Sequence, residues 1–571
     1  MLCGAFRPSI ASALLGAAAA TLALAATALP ETPTAPAAPS ATARVLSASP
    51  GPRQTPWKRS FNPFRGEAGA LWPAAAGVYE PLLVYNRSTG SYVPWLATKY
   101  DWSADSRKLR FALRPGVLWS DGQPFSSGDV KFTFDLMQRL PVLDREGVWT
   151  FLASVSAVDA NTVEFTLKRP FTPGLASISQ QPIVAEHKWK GVAQPAAFDD
   201  PAPVGTGPFT EVKRFEPTVY ELGRNPKYWQ VGKPGVDLLR VPLYRSNEEM
   251  LQALQAGELD WASLFLPDVE KGWVAADPAR HQYWYPDLGP AVLLYLNTQQ
   301  KPLDDKSVRK ALSMALDRAR IARDAMNNYV VPADATGLAD SEKNWKDAGL
   351  AGSASARWTI RDLAQANQLL DAAGLARGRD QIRVGPSGPM RYDLNVVQGW
   401  TDWMAVCEIV KQNLAEVGIG VSVKALDFNA WDDALRRGRF TLSMGFGSRG
   451  PNPYQFYRDL MDGSLVRPIG ERAQANFDRF ASDEMIPLVK RFEAVSDEKE
   501  QQAVSRSMQS LFIENAPSLP LFTSPLWGVF NTTRLSGFPS RFRPFANAVP
   551  GVGPAPGGPG ALPALVEVRP R

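Results

Sequence analysis

Residues that build metal and nucleophilic sites are scarce: 571 residues hold only two cysteines and two histidines. A Cys/His metal site and a disulfide framework are therefore excluded as organising features. Excess charge of one sign is lacking too. The 62 Lys+Arg and 57 Asp+Glu leave a formal +5, too little over this length for a nucleic-acid footprint. No G-x-S-x-G elbow and no G-x-x-x-x-G-K-[ST] phosphate loop occurs, and neither His187 nor His281 has a recognisable partner as a triad base. Gly205-Thr206-Gly207-Pro208 reads as a tight turn before a strand, because Pro208 removes the amide a phosphate cradle would use. Beyond the N-terminus no apolar run is long enough to span a bilayer. No catalytic residue, metal or cofactor is assigned, and the chain is not read as an enzyme.

What is present begins with a leader. Arg7 precedes the Ala/Leu-rich run Ile10 to Ala26, and Ala23-Leu24-Ala25 or Ala26-Thr27-Ala28 offers a small-residue cleavage site. This is the grammar of a secretory signal, over residues 1–26. The run falls just short of the ~20 residues a span requires, which favours cleavage over an uncleaved anchor. Cys3 lies before the apolar run, where no lipid-attachment cysteine sits, so a lipoprotein is not expected. Cleavage leaves Cys407 as a single thiol. Residues 27–56, dominated by Ala, Pro, Thr and Ser, read as a disordered linker, and 550–571, rich in Gly and Pro, as a disordered tail.

Between these ends the pattern is mixed α and β. Leu109, Phe111 and Leu113 alternate with other residues, as do Val163, Phe165 and Leu167, which predicts antiparallel strands with one wet face. Asp304-Asp305 precede a helical stripe of Val308, Leu312, Ala315 and Ala319. Val406, Val410, Leu414 and Val417 form another, ended by Gly418 and followed by the alternating Ile419, Val421 and Val423. A strand-rich first half and an α/β second half follow, with ligands expected between them. The acid pairs Asp199-Asp200, Asp304-Asp305 and Asp432-Asp433 read as helix starts and solvated faces, since neighbouring side chains point apart. A secreted glycan hydrolase, whose two carboxylates would come from distant segments, stays open as the rival class.

Aromatic residues are plentiful: 17 Trp, 27 Phe and 14 Tyr. They crowd at Gly399-Trp400-Thr401-Asp402-Trp403, at Tyr283-Trp284-Tyr285 and around Trp527. Most single tryptophans are read as core. The 399–403 loop differs because it offers two ring faces beside one carboxylate, a suitable surface for a sugar ring or a peptide side chain.

The stretch Leu109 to Met137, LRFALRPGVLWSDGQPFSSGDVKFTFDLM, resembles the signature of family 5 bacterial solute-binding proteins, the oligopeptide/dipeptide-type group serving ABC importers. Val78-Tyr79-Glu80-Pro81-Leu82, PVGTGPF (203–209), RNPKYW (224–229), AGELD (256–260), LNT (296–298), VRKALSMALDR (308–318) and EVGIGV (416–421) follow in the family's order. The likeness runs from about Asn62 to Phe538. It implies an α/β, type II periplasmic-binding-protein-like fold of two lobes, the first mixed α+β with an inserted subdomain. The implied division is lobe I at 57–78, 204–288 and 515–549, its insert at 79–203, and lobe II at 289–514. It further implies a periplasmic monomer that passes a small-molecule ligand to an inner-membrane ABC permease.

Peptide binders of this family place an acid shortly before a Pro, where it holds the peptide's amine. In Ser448-Arg449-Gly450-Pro451-Asn452-Pro453 that place falls to Arg449, which would repel an amine. The GWTDW loop and the FNPF start (61–64) resemble the oligosaccharide-binding branch, which takes cellobiose- or mannobiose-type sugars. The sequence reading therefore leans to a β-linked oligosaccharide, with a di- or oligopeptide as the alternative. Trp400, Trp403 and Trp527 are the candidate stacking faces; Asp402, Asn62 and Asn452 are the candidate hydrogen-bonding groups.

Overall fold

The structure, a computed structural model, describes residues 43–65, 68–75, 77–495, 497–551 and 558–571. The leader over 1–26 lies outside them, as does the linker's first part. Period-two segments become strands where the sequence places them. Lys108–Leu113 and Thr162–Leu167 pair antiparallel, with Leu109, Phe111, Val163 and Phe165 buried. On the wet face Lys108 and Arg110 reach Glu164 at 2.9 and 2.7 Å. Ala97–Trp102 and Leu152–Asp159 complete a four-stranded antiparallel sheet. The helix Ser127–Arg139, started by a Ser126/Asp129 capping box, lays Phe134 edge-on to Phe165 at 4.8 Å.

Two larger sheets make the lobes. The first has seven strands in the order His281–Trp284, Gly528–Asn531, Trp261–Ser263, Val45–Ser49, Leu238–Pro242, Val219–Arg224 and Phe209–Glu216. The second has five: Gly420–Leu426, Arg391–Val397, Leu442–Phe446, Ala291–Leu296 and Ser518–Thr523. The helix Thr401–Glu416 connects two parallel neighbours of this sheet, and Gly418 at φ +82° turns the chain into the next strand. Its Cys407 is fully buried, and burial pushes the thiol's pKa up, so it stays protonated.

One buried carboxylate ties the inserted residues to the first lobe. Glu80 is sealed from solvent and accepts hydrogen bonds from Trp95 Nε1 at 2.7 Å, Tyr228 OH at 2.9 Å and Trp229 Nε1 at 3.0 Å. Burial raises its pKa to about 7, against the pull of these donors. The VYEPL and RNPKYW segments thus meet at a single side chain. Close by, Gly205 and Gly207 are obligatory, since a Cβ on them would lie 1.9 and 2.1 Å from the Val78 and Gly77 carbonyl oxygens.

Several expectations need correcting. Val45–Ser49, assigned to a disordered linker, is a central strand paired parallel on both sides, with Leu46 and Ala48 fully buried. Its partners lie roughly two hundred residues away, so no local pattern discloses it. The supposed tail contains the helix Leu562–Glu567, with Leu562, Leu565 and Val566 buried, and Arg569–Pro570 pairs with Leu535–Ser536. Flanking Gly and Pro hid this short apolar segment. Ser518–Thr523 belongs to the second sheet, so residues 515–549 are not wholly in the first lobe. The helix capped by Asp305 ends at Ala315, leaving Ala319 outside it. Asp200 is no solvated residue: it is buried against Tyr79 OH and Lys188.

The two sheets are joined by two chain crossings. The chain leaves the first sheet over 285–290 and returns over 524–527. The crossings pair backbone to backbone, Ser524 N donating to Pro290 O at 2.9 Å and Leu526 N to Pro286 O at 3.0 Å. A Cβ at Gly289 would lie 2.0 Å from Ser524 O. Gly289→Ala is expected to force the crossings apart and destabilise the protein by about 1–3 kcal/mol, read as a lower midpoint in thermal unfolding. An unchanged midpoint would mean that the crossings are not held this closely.

Candidate functional site

The crossings carry rings to the boundary where the lobes meet. Trp527, half-buried, meets Tyr285 edge-on at 4.9 Å, Phe265 at 5.1 Å and Tyr329 at 6.2 Å. Tyr285 OH donates to Leu264 O at 3.1 Å and Val269 N donates to Tyr329 OH at 2.9 Å, so the polar ends of two of these rings are fixed.

The 399–403 loop lies at the same boundary. Gly399, at φ +86°, brings the backbone toward Arg245 O, and Asn247 Nδ2 of the first lobe donates to Thr401 Oγ1 at 3.1 Å. Trp400 is half-buried, 4.9 Å from Trp403, 5.9 Å from Phe446 and 6.2 Å from both Phe428 and Trp431. Trp403 is only 2% exposed and is core, packed on Phe446 at 4.6 Å and Trp431 at 6.4 Å. The loop therefore offers one ring, and the second accessible ring is Phe428, 39% exposed. Asp402 is 8% exposed; burial pushes its carboxyl up to about 6 although two backbone N–H groups at the helix start favour the charge.

Charged groups gather at the crossing. Arg449, from the second lobe, donates through Nη1 to Gly289 O and through Nη2 to Ser341 Oγ at 3.0 Å. Arg87, from the inserted residues, donates to the adjacent Leu288 O at 3.4 Å. Burial, and then Arg449, lower the Arg87 pKa to about 10. Asp287, two residues before Gly289, is raised by burial while Arg449 pulls it down; Glu342 acts on both Asp287 and Arg87. The position of Arg449 is thus of mixed sign, which the linear sequence did not disclose.

The remaining candidates divide. Asn62 is fully buried and spent within the protein: its amide donates to Pro195 O and Phe198 O at 2.8 and 2.7 Å, and its oxygen accepts from Phe64 N. It offers nothing to a ligand. Asn452 Oδ1 accepts from Tyr454 N at 3.2 Å, two residues before the helix Tyr454–Met461 begins. Arg449 and Trp527 both lie at the crossing, Trp400 at the Asn247–Thr401 contact. Missed by sequence reasoning were Asp287, Arg87 and Phe428, for none of which a motif signals. His187 does have a partner, Asp121 Oδ2 at 2.7 Å, and His281 stacks on Trp273 at 3.7 Å.

The lobes also touch away from the crossings. Arg169 pairs with Glu493 at 2.6 Å, and Thr172 bonds with Val495 O and Gln501. Phe171 meets Tyr454 at 6.4 Å. Together with Asn247–Thr401 these contacts join the lobes at points besides the crossing.

Comparison with known proteins supplies the context. Residues 91–464 match the sequence profile of bacterial extracellular solute-binding proteins, family 5. The chain is 24% identical over 517 residues to di/tripeptide-binding protein 2 of Pseudomonas aeruginosa, covering 84% of this chain and 90% of that one. It is 24% identical over 462 residues to an oligopeptide-binding protein of Bacillus subtilis, covering 75% and 78%. The mannohexaose-bound structure of a periplasmic oligopeptide-binding protein from Thermotoga maritima superposes with a TM-score of 0.83 at 23% identity, covering 93% and 99%. The fold is the two-lobe type II arrangement of periplasmic binding proteins.

The two tryptophans of the 399–403 loop separate by experiment. Trp403→Ala is expected to cost about 3–5 kcal/mol of stability; Trp400→Ala is expected to cost clearly less and to weaken ligand binding. Equal midpoint losses would place both rings in the core. Asp402 gives a pH signature. Its carboxyl is raised from 3.8 to about 6, so the folded state holds the proton more tightly than the unfolded chain. Stability is therefore lost as pH rises from about 4 through 6, by up to about 3 kcal/mol. Asp402→Asn is expected to match the unsubstituted protein at pH ~4 and to melt higher above pH ~6; a constant difference at all pH values would contradict this.

Proposed function

Because the chain belongs to family 5 of the bacterial extracellular solute-binding proteins, we propose that it captures a di- or oligopeptide between its lobes and delivers it unchanged to an inner-membrane ABC permease. The observation that carries the peptide reading is the mixed charge at the crossing, where Arg87 and Arg449 stand with Asp287 and Glu342. A zwitterion supplies a charge of each sign to this cluster, whereas a neutral sugar supplies neither. The names of the Pseudomonas and Bacillus relatives agree with it. Arg449 no longer argues against an amine, since Asp287 and Glu342 act in the same place.

Capture follows from the geometry. Lobe closure about 285–290 and 524–527 brings Arg87 and Arg449 to adjacent carbonyls and sets the Trp400 loop beside the first lobe. A ligand that adds contacts to both lobes favours the closed state by its differential affinity, and the permease reads that state. The protein acts outside the inner membrane, as a monomer; no helix among the described residues is long and apolar enough to cross a membrane. The domain division proposed for it is two lobes with an insert over about 79–203, the second lobe running from Ala291 to Thr523.

A second reading, a β-linked oligosaccharide, is favoured by the accessible rings of Trp400 and Phe428 and by the mannohexaose in the Thermotoga structure. A thermal-shift panel of di- to pentapeptides against manno- and cello-oligosaccharides decides between them. A ligand at ~100 times its Kd adds about 2.7 kcal/mol, and peptides are expected to give this shift. Stabilisation by sugars alone would establish the second reading, and release of cleaved glycan would establish a hydrolase.

A further inference from the structure

The two most exposed large apolar side chains among the described residues are Val231 and Phe542, at 98% and 84%. Isolated exposed apolar residues are ordinary, but these two stand on turns that one carboxylate clamps together. Glu567, at the end of the helix Leu562–Glu567, holds Lys233 through Oε1 and Arg543 through Oε2, the latter at 3.5 Å. Lys233 follows Val231 by two residues, and Arg543 follows Phe542 directly.

Both turns are firmly built. Ser540 and Arg543 exchange backbone hydrogen bonds at 3.2 and 3.0 Å, which leaves Arg541 and Phe542 at the tip. The Arg541 guanidinium lies 4.7 Å over the Phe542 ring, and that of Arg543 lies 4.5 Å over Phe545. The 229–235 turn is seated on the C-terminal strand, because a Cβ at Gly235 would come within 2.7 Å of Arg569 Cβ. Arg569 and Arg571 are exposed beside it. Lys233, Arg541, Arg543, Arg569 and Arg571 thus lie on the same segments as the two protruding apolar residues, and Glu567 is the one acid of those segments.

We propose that this patch docks the protein on the headgroup region of an anionic phospholipid surface, with Phe542 and Val231 entering the interface and the arginines facing the phosphates. Apolar tips flanked by Arg and Lys are the chemistry that such a surface selects. A surface that reads lobe closure has to touch both lobes. This patch involves only 229–235, 534–545 and 562–571, all attached to the first sheet and none to the 291–523 segment, so it is suited to a partner indifferent to closure. A bilayer is such a partner. Docking here would concentrate the protein beside its permease whether or not ligand is bound.

The test is co-sedimentation of the purified full chain with vesicles of phosphatidylethanolamine and phosphatidylglycerol, against vesicles of phosphatidylcholine. Binding to the anionic vesicles is expected at low salt, with release as salt screens the charges. Arg541→Ser is expected to lower the partition coefficient about fivefold and Phe542→Ser about tenfold. Both positions are exposed, so the unfolding midpoint and the ligand-induced thermal shift stay unchanged and report that the variants are folded. Absence of binding to anionic vesicles at low salt, or equal binding by the variants, overturns the proposal. Binding only to vesicles that also hold a permease overturns it too and assigns the patch to a protein partner.

Discussion

Everything distinctive in this molecule depends on how two chain crossings are fitted together between two sheets. Pro286 and Pro290 contribute carbonyls but no amide donors, and these carbonyls accept from Leu526 and Ser524 of the returning crossing. Gly289 allows the backbones to meet without a side chain between them. Two sheets joined by only two short segments retain one soft coordinate, the angle between them. Each sheet completes its own strand pairing, so opening the angle breaks no ladder.

The same crossings decide which aromatic residues are available. Trp119, Trp189, Trp261, Trp273, Trp358 and Trp403 are among the largest fully buried side chains. Their apolar area stabilises the lobes, at roughly 25 cal/mol per Å² removed from water. Trp527 and Tyr285 lie on the crossings themselves, and Trp400 lies where the second lobe meets Asn247, so these rings keep one face toward the boundary. High aromatic content thus serves two purposes, separated by less than one helical turn at Trp400 and Trp403.

Charge follows a similar division. Glu80 and Arg318 are buried within single lobes and have their hydrogen bonds made there, Arg318 to Pro520, Ser313 and Thr359. Such groups fix local structure, because a buried polar group without partners costs about 1–3 kcal/mol. Arg87, Arg449 and Asp287 instead converge from different parts of the chain on the crossing. Their arrangement draws on both lobes and on the crossing that joins them.

Much of the fold is legible in the sequence because it rests on local periodicity. The alternation at 109–113 and 163–167, the Gly418 stop and the acidic helix start at Asp304-Asp305 each act over a few residues, and the resemblance motifs supplied the order of the parts. The strand Val45–Ser49 and the helix Leu562–Glu567 were not legible, being short, set in Pro- and Gly-rich surroundings and stabilised by distant partners. At the site, the sequence by itself determined that rings and a carboxylate crowd at 399–403 and that Arg449 stands before Pro451. Only the tertiary structure decided that Trp403 and Asn62 face inward, that Asp287 attends Arg449, and that Phe428 is exposed. Side-chain direction and charge proximity depend on the packing of segments far apart in the chain, and no local pattern encodes that.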